Sequence, residues 1–371
     1  MSPPDLLDPA LAADALALRP WLALQSALCF RPELAATLLH EHGDPERALR
    51  ASGAPPVRAC EIEASLEALR RVRARGLPLS SRAYPPRLAR LPDPAALLLV
   101  QGDPTALSAP GIAIVGSRAA TQHGLALARD FAAALSRAGL VVISGLARGI
   151  DAAAHAGALD AGGRTIAVQA CGPDLVYPAA HRALAGRIAS QGARVTEFPP
   201  GTPPRPGHFP LRNRLISGLA EALLVIEARE RSGTLVTTAH AAAQGLDVFA
   251  LPGPVGAAAC AGSNRLLRDG AYVALDPEDV LGVLRLGGLR LEPRPAAEPV
   301  ASSAPRASPQ GAAILSALER APAHRDELAR RLSRTPQELA LDLLELELAG
   351  RIREERDGRL RVVSLRGTRE L

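Results

Sequence analysis

The chain has 371 residues, of which 47% are hydrophobic, and a formal net charge of +5 at pH 7. This length predicts two or three globular domains, and the composition supplies enough apolar side chains to build their cores. The balance of 43 basic against 38 acidic residues points only mildly to an acidic partner. No lysine occurs, so the placement of the arginines is more informative than their number.

Cysteine spacing and hydropathy exclude several classes of protein. The cysteines are far apart and form no C-x-x-C pair, which argues against a disulfide framework or a zinc site; they are Cys29, Cys60, Cys171 and Cys260. No segment is apolar over the ~18 residues that a membrane span needs, and the N-terminus lacks the features of an export signal. We therefore expect a cytoplasmic protein without membrane insertion.

Residues 1–76 are predicted to form a small all-helical domain. Leucines and alanines recur there at three- and four-residue spacing, and Pro32 and Pro45 stand at positions that favour helix starts. Protein contact or spacing is the favoured role, and nucleic-acid binding is the alternative. The many prolines of residues 77–110 predict a connector, with an edge strand at Leu97 to Val100.

Residues 111–286 alternate between short apolar runs and helical segments. This pattern predicts an α/β domain with a doubly wound parallel sheet of the extended Rossmann-like class. The predicted strands are Ile112 to Val115, Leu140 to Ile143, Thr165 to Val168, Arg194 to Thr196, Ala222 to Ile226 and Val248 to Leu251. Ligands of such sheets bind at the carboxyl ends of the strands.

Three strand-to-helix turns of this region are candidate anion sites. Backbone N–H groups are unpaired at such turns, and the helix dipole adds positive potential. The residues concerned are Gly116, Ser117 and Arg118 after the first strand, Gly145 and Arg148 after the second, and Ser232 and Gly233 after the fifth.

The segment from Phe198 to Ala220 has a local excess of positive charge. It contains no acidic residue, and its basic residues are Arg205, His208, Arg212 and Arg214. Phe209 lies among them in a chain that is only 2% aromatic, so it is a candidate platform for stacking nucleic-acid bases. The alternative is that Phe209 anchors the loop in the core while Arg212 and Arg214 are merely solvated on a helix.

The C-terminal part is predicted to be a linker followed by a winged helix. Residues 287–309 are rich in Pro, Ala and Ser, which predicts a disordered linker. Residues 310–371 show three helix patterns and a hairpin with an Asp-Gly turn. The third helix, Thr335 to Ala349, has no arginine and carries Glu338, Asp342, Glu345 and Glu347. Protein contact is therefore favoured; the alternative is DNA contact through the wing residues Arg351, Arg353, Arg359 and Arg361.

No catalytic, cofactor or metal set with convincing spacing emerges. A dinucleotide site needs G-x-G-x-x-G, where this chain has G-S-R-A-A-T, and a P-loop needs a lysine. A phosphoribohydrolase-like enzyme needs a glutamate where this chain has Thr237, and it is kept as the alternative function. A winged-helix transcription regulator is disfavoured by the acidic third helix. Asp174 and Tyr177 are interpreted as loop caps, with orientation of a ligand as the alternative. His155 is interpreted as a packed histidine in preference to a ligand or base.

The motifs of the sheet region, taken together, resemble the bacterial DNA-processing protein A (DprA/Smf) family. They occur in order over the whole predicted sheet domain, whereas the helical front, SAM-like in that family, and the winged-helix end match only in layout. The matching stretches are Gly116 to Arg118, Ser144 to His155, Gly172 to Pro178, Phe209 to Leu219, Ser232 to Thr237 and Pro252-Gly253.

The resemblance implies a cytosolic mediator of natural transformation and competence. Such a protein binds and protects incoming single-stranded DNA, forms a homodimer through the sheet domain, and loads the recombinase RecA onto strands coated by single-strand-binding protein. It is not an enzyme and needs no cofactor. Some members have a lysine where this chain has Pro206, so Arg205 is expected to replace it. The implied DNA pocket comprises Ser117, Arg118, the Gly145 turn, Phe209, Arg212, Asn213 and Arg214.

Overall fold

A computed structural model describes residues 9–291, 309–321, 323–348, 352–354 and 358–362. The chain divides into two compact units, Met1–Ala297 and Glu298–Leu371. In the first unit the helices are α1 (Pro9–Leu28), α2 (Pro32–His42), α3 (Pro45–Ala51), α4 (Ala59–Arg71), α5 (Pro86–Ala89), α6 (Gln122–Arg137), α7 (Ile150–Asp160), α8 (Arg182–Gln191), α9 (His208–Gly218), α10 (Gly233–Ala243), α11 (Ala261–Arg268) and α12 (Pro277–Leu286). Its strands are β1 (Ala74–Pro78), β2 (Leu97–Gly102), β3 (Gly111–Val115), β4 (Val141–Ser144), β5 (Thr165–Val168), β6 (Ala193–Thr196), β7 (Ala222–Val225), β8 (Asp247–Ala250) and β9 (Tyr272–Val273).

The front of the chain is helical, as predicted. Helix α3 begins at Pro45, and the Asp44 carboxylate caps it by accepting hydrogen bonds from the backbone N–H groups of Glu46 and Arg47 at 3.0 and 2.9 Å. Helix α2 ends at Gly43, whose φ of 67° is in the left-handed region that glycine tolerates. Helices α1 and α4 pack on the sheet through an apolar cluster shared with β2; its members include Leu22, Ile62, Leu66, Leu69, Leu97 and Leu99.

The segment predicted as a connector is part of the sheet. Described strands of the first unit form one sheet in the order β1-β2-β6-β5-β4-β3-β7-β8-β9. Strand β2 is antiparallel to both β1 and β6, so it is an internal strand and the predicted edge position is wrong. The physical reason is burial: Leu97, Leu98 and Leu99 are fully inaccessible to solvent, which requires a neighbouring strand on each side and packing on both faces.

The remaining strand pairs are parallel, and their order defines one crevice. The chain proceeds from β3 through β4 and β5 to β6 on one side, and then returns to β7 and β8 on the other side of β3. Helices α6, α7 and α12 cover one face of the sheet, and α9 and α10 cover the other. The order therefore reverses between β3 and β7, where doubly wound sheets bind ligands at the strand carboxyl ends.

The second unit has the predicted winged-helix elements. They are α13 (Pro309–Arg320), α14 (Arg325–Arg331), α15 (Pro336–Leu348) and an antiparallel hairpin of β10 (Ile352–Glu354) and β11 (Leu360–Val362). On the acidic helix α15, Asp342 pairs with Arg334 at 3.0 Å. Most of the predicted linker, 292–308, lies outside the described residues, as do Arg351 and Asp357 of the predicted wing. Among the described helices, none has both the length and the hydropathy needed to cross a bilayer.

Candidate nucleic-acid interface

An open cleft of about 630 Å³ lies at the carboxyl ends of β3 and β7. Its walls come from the β3–α6 turn, the loop before α9, α9 itself and the β7–α10 loop. Most of the predicted site residues meet there, namely Gly116, Ser117, Arg118, Arg205, Phe209, Arg212, Asn213, Ser232 and Gly233. The sheet thus brings together residues that are more than a hundred positions apart in sequence.

Phe209 faces the cleft and contacts a cation. The ring is partly exposed, and the guanidinium carbon of Arg118 lies 4.9 Å from the ring centroid. On another side, the Tyr177 ring lies 5.7 Å away at an angle of 52°. An aromatic face and a guanidinium plane are both surfaces on which a base can stack. The alternative in which Phe209 is a core anchor does not fit this placement.

Four exposed arginines line the cleft. Arg118 and Arg205 are two of the predicted residues, and Arg229 and Arg231 come from the β7–α10 loop. Among the described residues that line the cleft, the only acidic one is Asp151, which is buried. The open surface of the cleft is therefore cationic, as a site for phosphates requires.

Three cleft residues are not among the predicted site residues. Arg229 and Arg231 flank a glutamate, so their local charge excess in the sequence is small; the signal that could identify them is their position directly after β7, at the reversal of strand order. Tyr177 lines the cleft and its exposed fraction is 48%, which fits the alternative of ligand contact better than a loop cap. Asp174 is a loop cap as predicted, since its carboxylate accepts a hydrogen bond from the Gly201 N–H at 2.9 Å.

Arg212 lines the base of the cleft but is held by the protein. It is 3% exposed and donates hydrogen bonds to the carbonyl oxygens of Gly145, at 2.9 Å, and Val168. Burial lowers the pKa of Arg212 to about 10, and the nearby carboxylate of Asp151 opposes that shift. Arg212 therefore stays charged at neutral pH and contributes a fixed positive charge behind the open arginines.

The Gly145 turn is not an open anion site. The buried Asp151 carboxylate accepts hydrogen bonds from the N–H groups of Gly145, at 3.1 Å, and Ala147, at 3.2 Å. Burial raises the pKa of Asp151, and Arg212 opposes this effect. A side chain at position 145 would lie 2.6 Å from the Arg212 guanidinium, so glycine is needed for this close contact. The N–H groups of Gly145 and Ala147 in the loop before α7 are thus bonded within the protein.

The Gly116 turn is filled in the same way. The buried Glu227 carboxylate accepts hydrogen bonds from the Thr121 N–H at 2.9 Å and from the Thr121 hydroxyl at 2.5 Å, at the N-terminus of α6. The Ser117 N–H donates to the Glu227 carbonyl oxygen at 2.8 Å. Gly116 and Ser117 therefore shape the cleft wall, but the anion position expected at this turn is occupied by an internal carboxylate.

The third turn differs from these two. At the N-terminus of α10, the Ser232 hydroxyl accepts a hydrogen bond from the Thr234 N–H at 3.1 Å, and Gly233 is exposed at the cleft. The Thr121 hydroxyl caps α6 in the same way, but Glu227 is bonded to that cap, whereas within the described residues no buried carboxylate is hydrogen-bonded to Ser232. The positive dipole of α10 is therefore not opposed by an internal carboxylate. Ser232 and Gly233 remain the predicted phosphate contacts at this turn.

Two predicted arginines do not join the cleft. Arg148 is exposed but is not among the residues that line it. Arg214 is only 2% exposed and pairs with Asp93 at 2.9 Å and with Glu197 at 2.5 Å. It points into the protein because α9 turns successive side chains by about 100°. The prediction that Arg214 contacts DNA is wrong for this geometry, and so is the alternative that it is solvated.

His155 is a packed histidine, as predicted. It is fully buried, its Nδ1 lies 2.7 Å from the Thr165 hydroxyl, and burial lowers its pKa to about 3. In the described part of the chain, no group of three or more His, Cys, Asp or Glu residues could hold a metal ion.

Comparisons with known proteins agree with this architecture. The family model described as DNA recombination-mediator protein A matches residues 76–285, and the DprA winged helix domain matches residues 294–358. The chain is 39% identical over 290 residues to Protein Smf of Escherichia coli (strain K12), with 78% of each chain covered. It is 40% identical over 205 residues to the DNA processing protein DprA of Bacillus subtilis (strain 168), which covers 55% of this chain and 69% of the relative.

Solved structures give the same result. The fold resembles DNA processing protein A from Streptococcus pneumoniae, with a TM-score of 0.58, 32% identity, and 67% of this chain and 86% of that chain covered. It also resembles DNA processing protein A from Helicobacter pylori, which was described for its single-stranded DNA binding mode; the TM-score is 0.53, the identity is 27%, and 58% of this chain and 96% of that chain are covered. From the family matches and these identities, the chain belongs to the DNA-processing protein A (DprA/Smf) family.

Proposed function

We propose that this protein is a recombination mediator that binds single-stranded DNA in the cleft between β3 and β7. The observation that carries the proposal is the Arg118 guanidinium over the partly exposed Phe209 ring at 4.9 Å, in a cleft lined by three further exposed arginines. Cations track a phosphate backbone and a flat ring accepts an unpaired base, which is the combination that single-strand binding needs. The Helicobacter pylori relative, with the same fold, has a single-stranded DNA binding mode.

The arrangement favours binding that tolerates changes of sequence. Every base has a π-face, so stacking on Phe209 reads no base edge, and each stacked base contributes roughly 1–3 kcal/mol. If the four exposed arginines each meet one phosphate, log affinity falls with log salt with a slope of about 3. The buried Arg212 adds long-range attraction without releasing counterions of its own.

Oligo-dT binding measured by fluorescence anisotropy over a range of salt concentrations tests the proposal. We expect Phe209→Ala and Arg118→Ala each to weaken binding about 5-fold or more, with the melting temperature almost unchanged. Arg137→Ala is the matched control, because Arg137 is an exposed arginine in the last turn of α6. This turn leads into the start of β4, away from the carboxyl ends of the strands where the cleft lies. If both cleft variants bound oligo-dT with wild-type affinity, the cleft would not be the binding site. Tighter binding to duplex than to single strands would contradict the proposed preference for single-stranded DNA.

We also propose the finer role that the family resemblance implies, in a cytoplasmic setting. The protein would protect incoming single strands during natural transformation and load RecA onto strands coated by single-strand-binding protein. The test is RecA filament nucleation on such coated strands, with and without this protein. The expected result is faster nucleation with wild type, and none of that acceleration with Phe209→Ala.

A catalytic role is the competing hypothesis, and it has a separate test. In a phosphoribohydrolase-like site, the position of Thr237 would carry a catalytic glutamate; here Thr237 is a buried hydroxyl residue at the cleft. We propose that no base is released from nucleoside monophosphates. Release of free base by the purified protein, lost on Thr237→Val, would establish the enzyme instead.

We further propose that the functional form is a homodimer assembled through the sheet domain. Strand β9 lies at the end of the described strand order and is short, with Tyr272 and Val273 about half exposed. Nearby, Leu275 is 71% exposed. An open strand edge flanked by apolar side chains is suited to pair with a second copy. Sedimentation of wild type against Val273→Arg tests this, with a monomeric variant expected.

A further inference from the structure

Three rings next to the start of α9 contact one another. The fully buried Phe198 ring stacks on the His208 ring at 4.7 Å with an angle of 20°, and His208 stacks on Phe30 at 4.9 Å with an angle of 28°. Phe30 also contacts Phe198 directly, at 5.8 Å and 36°, so the three rings form a compact cluster. The His208 Nδ1 lies 3.3 Å from the carbonyl oxygen of Ala170, which holds the imidazole in this orientation.

Phe30 presents an open ring to solvent. It lies in the corner between α1 and α2, and its exposed fraction is 55%, in a chain with five phenylalanines. A single exposed apolar side chain needs no functional explanation. This ring, however, is held from beneath by His208, so that its orientation is fixed before any ligand arrives. Pre-oriented aromatic faces bind with little loss of side-chain entropy.

The ring cluster is linked to the cleft through the chain itself. His208 is followed by Phe209, and adjacent Cα atoms are about 3.8 Å apart. The His208 N–H donates to the Arg205 carbonyl oxygen at 3.0 Å, which forms a turn with Arg205 on the cleft side. Between them, Pro206 and Gly207 are exposed, and an added Cβ at Gly207 would meet nothing within 4 Å. Residues 206–207, between the cleft residue Arg205 and His208, are therefore open to solvent.

The charges beside Phe30 nearly cancel. Arg31 and Glu33 are both exposed at the start of α2. A phosphate would gain little from this pair, whereas an unpaired base needs only the apolar face of a ring. The chemistry of this corner therefore favours contact with a base and not with the backbone.

We infer that Phe30 is a second base-stacking subsite for single-stranded nucleic acid, reached by a strand that leaves the cleft across residues 205–207. This inference rests on the proposed function, because a strand must first lie in the cleft. The helical front of the chain thereby contributes directly to the length of strand that is bound.

The test compares oligo-dT of about 6 and about 16 nucleotides, within the range of site sizes known for single-strand binding folds. Phe30→Ala is expected to weaken binding of the longer strand about 5-fold or more, with little effect on the shorter one and no change in the salt slope. Phe30→Tyr should keep wild-type affinity. Phe30→Leu still covers His208 with an apolar side chain but offers no flat ring, so it should bind like Phe30→Ala while unfolding like wild type.

A spectroscopic readout separates stacking from a structural effect. The chain has one tryptophan, Trp21. In a Trp21→Phe background, Phe30→Trp places the sole tryptophan at the subsite, and its fluorescence should be quenched by the longer oligonucleotide. Absence of quenching, or equal affinity of Phe30→Ala and wild type for the longer strand while Phe209→Ala is impaired, overturns the subsite alone. If Phe209→Ala also binds normally, the proposed function fails first.

Discussion

The helix N-termini at the strand ends of this protein fall into two groups. Beside α6 and α7 lie buried carboxylates of the chain: Glu227 is bonded to the α6 cap residue, and Asp151 to the loop before α7. The N-terminus of α10 has a hydroxyl cap and faces the open cleft. All three follow a parallel strand and have the same backbone dipole. The difference shows that a helix N-terminus predicts where an anion sits, but not whether that anion belongs to a ligand or to the protein.

The arginines divide in the same way. Arg214 on α9 lies between Asp93 and Glu197 in the interior, while Arg118 and Arg231, on loops, are exposed at the cleft. Guanidinium groups thus have two uses here: those on a packed helix hold the domain together, and those on loops remain available for a polyanion. The following four experiments test this division, from the largest expected effect to the smallest.

Arg214→Ala should destabilise the fold without acting on DNA directly. The substitution leaves the carboxylate of Glu197, which is 2% exposed, without its cation, and breaking such a buried pair costs about 3–5 kcal/mol of unfolding free energy. Urea denaturation measures it, with Arg137→Ala expected within about 0.5 kcal/mol of wild type. If Arg214→Ala were as stable as wild type but bound oligo-dT more weakly, Arg214 would be a DNA-contacting residue and the structural role would be contradicted.

The same buried pair predicts a dependence of stability on pH. Burial raises the pKa of Glu197 from 4.5 to about 7, against the attraction of Arg214. Because the folded state binds the carboxyl proton of Glu197 more tightly than the unfolded state does, protonation of Glu197 stabilises the fold. This contribution to the unfolding free energy is complete below pH 4.5 and is lost as the pH rises through about 7. Between these values, the unfolding free energy of wild type should fall relative to that of Glu197→Gln. Parallel pH profiles for the two proteins would contradict this assignment.

Glu227→Ala should convert a filled helix N-terminus into an open one. Loss of the hydrogen bonds to Thr121 costs about 1–2 kcal/mol, as for other helix caps. Inorganic phosphate should then raise the melting temperature of the variant more than that of wild type, since a ligand of the folded state stabilises it. Glu230→Ala, at an exposed glutamate of the same loop, is the control and should show no phosphate effect. Equal phosphate responses would mean that the turn offers no anion site even when emptied.

Arg229→Ala and Arg231→Ala should have the smallest effects. Each removes one exposed cation from the cleft, so the salt slope of oligo-dT binding should decrease by about 0.7 per substitution. Arg148→Ala is the matched comparison, because Arg148 is an exposed arginine that does not line the cleft. If Arg148→Ala lowered the salt slope as much as Arg231→Ala does, the bound strand would have to cross the β4–α7 loop, contrary to the proposed path.

Local patterns in the sequence predicted much of the architecture. The β-branched runs before Gly116 and Gly145 are buried parallel strands, and the leucine spacing of the front and the end of the chain predicted helices that the structure contains. Proline content misled the interpretation of residues 77–110, since the apolar run at Leu97 to Val100 is an internal strand. Its burial depends on pairing with β6, almost a hundred residues away, which no local pattern records.

The sequence by itself determined the succession of strands and helices, the family, and the fact that cations and an aromatic ring gather near one edge of the sheet. Only the tertiary structure decided which of those groups a ligand can reach. Arg118, on a loop, and Arg214, on α9, are the same residue type, yet one lies over Phe209 at the surface and the other between two carboxylates. The reason is that exposure and ion pairing depend on which distant segments fold against a residue, whereas strand and helix formation depends mainly on its neighbours in the chain.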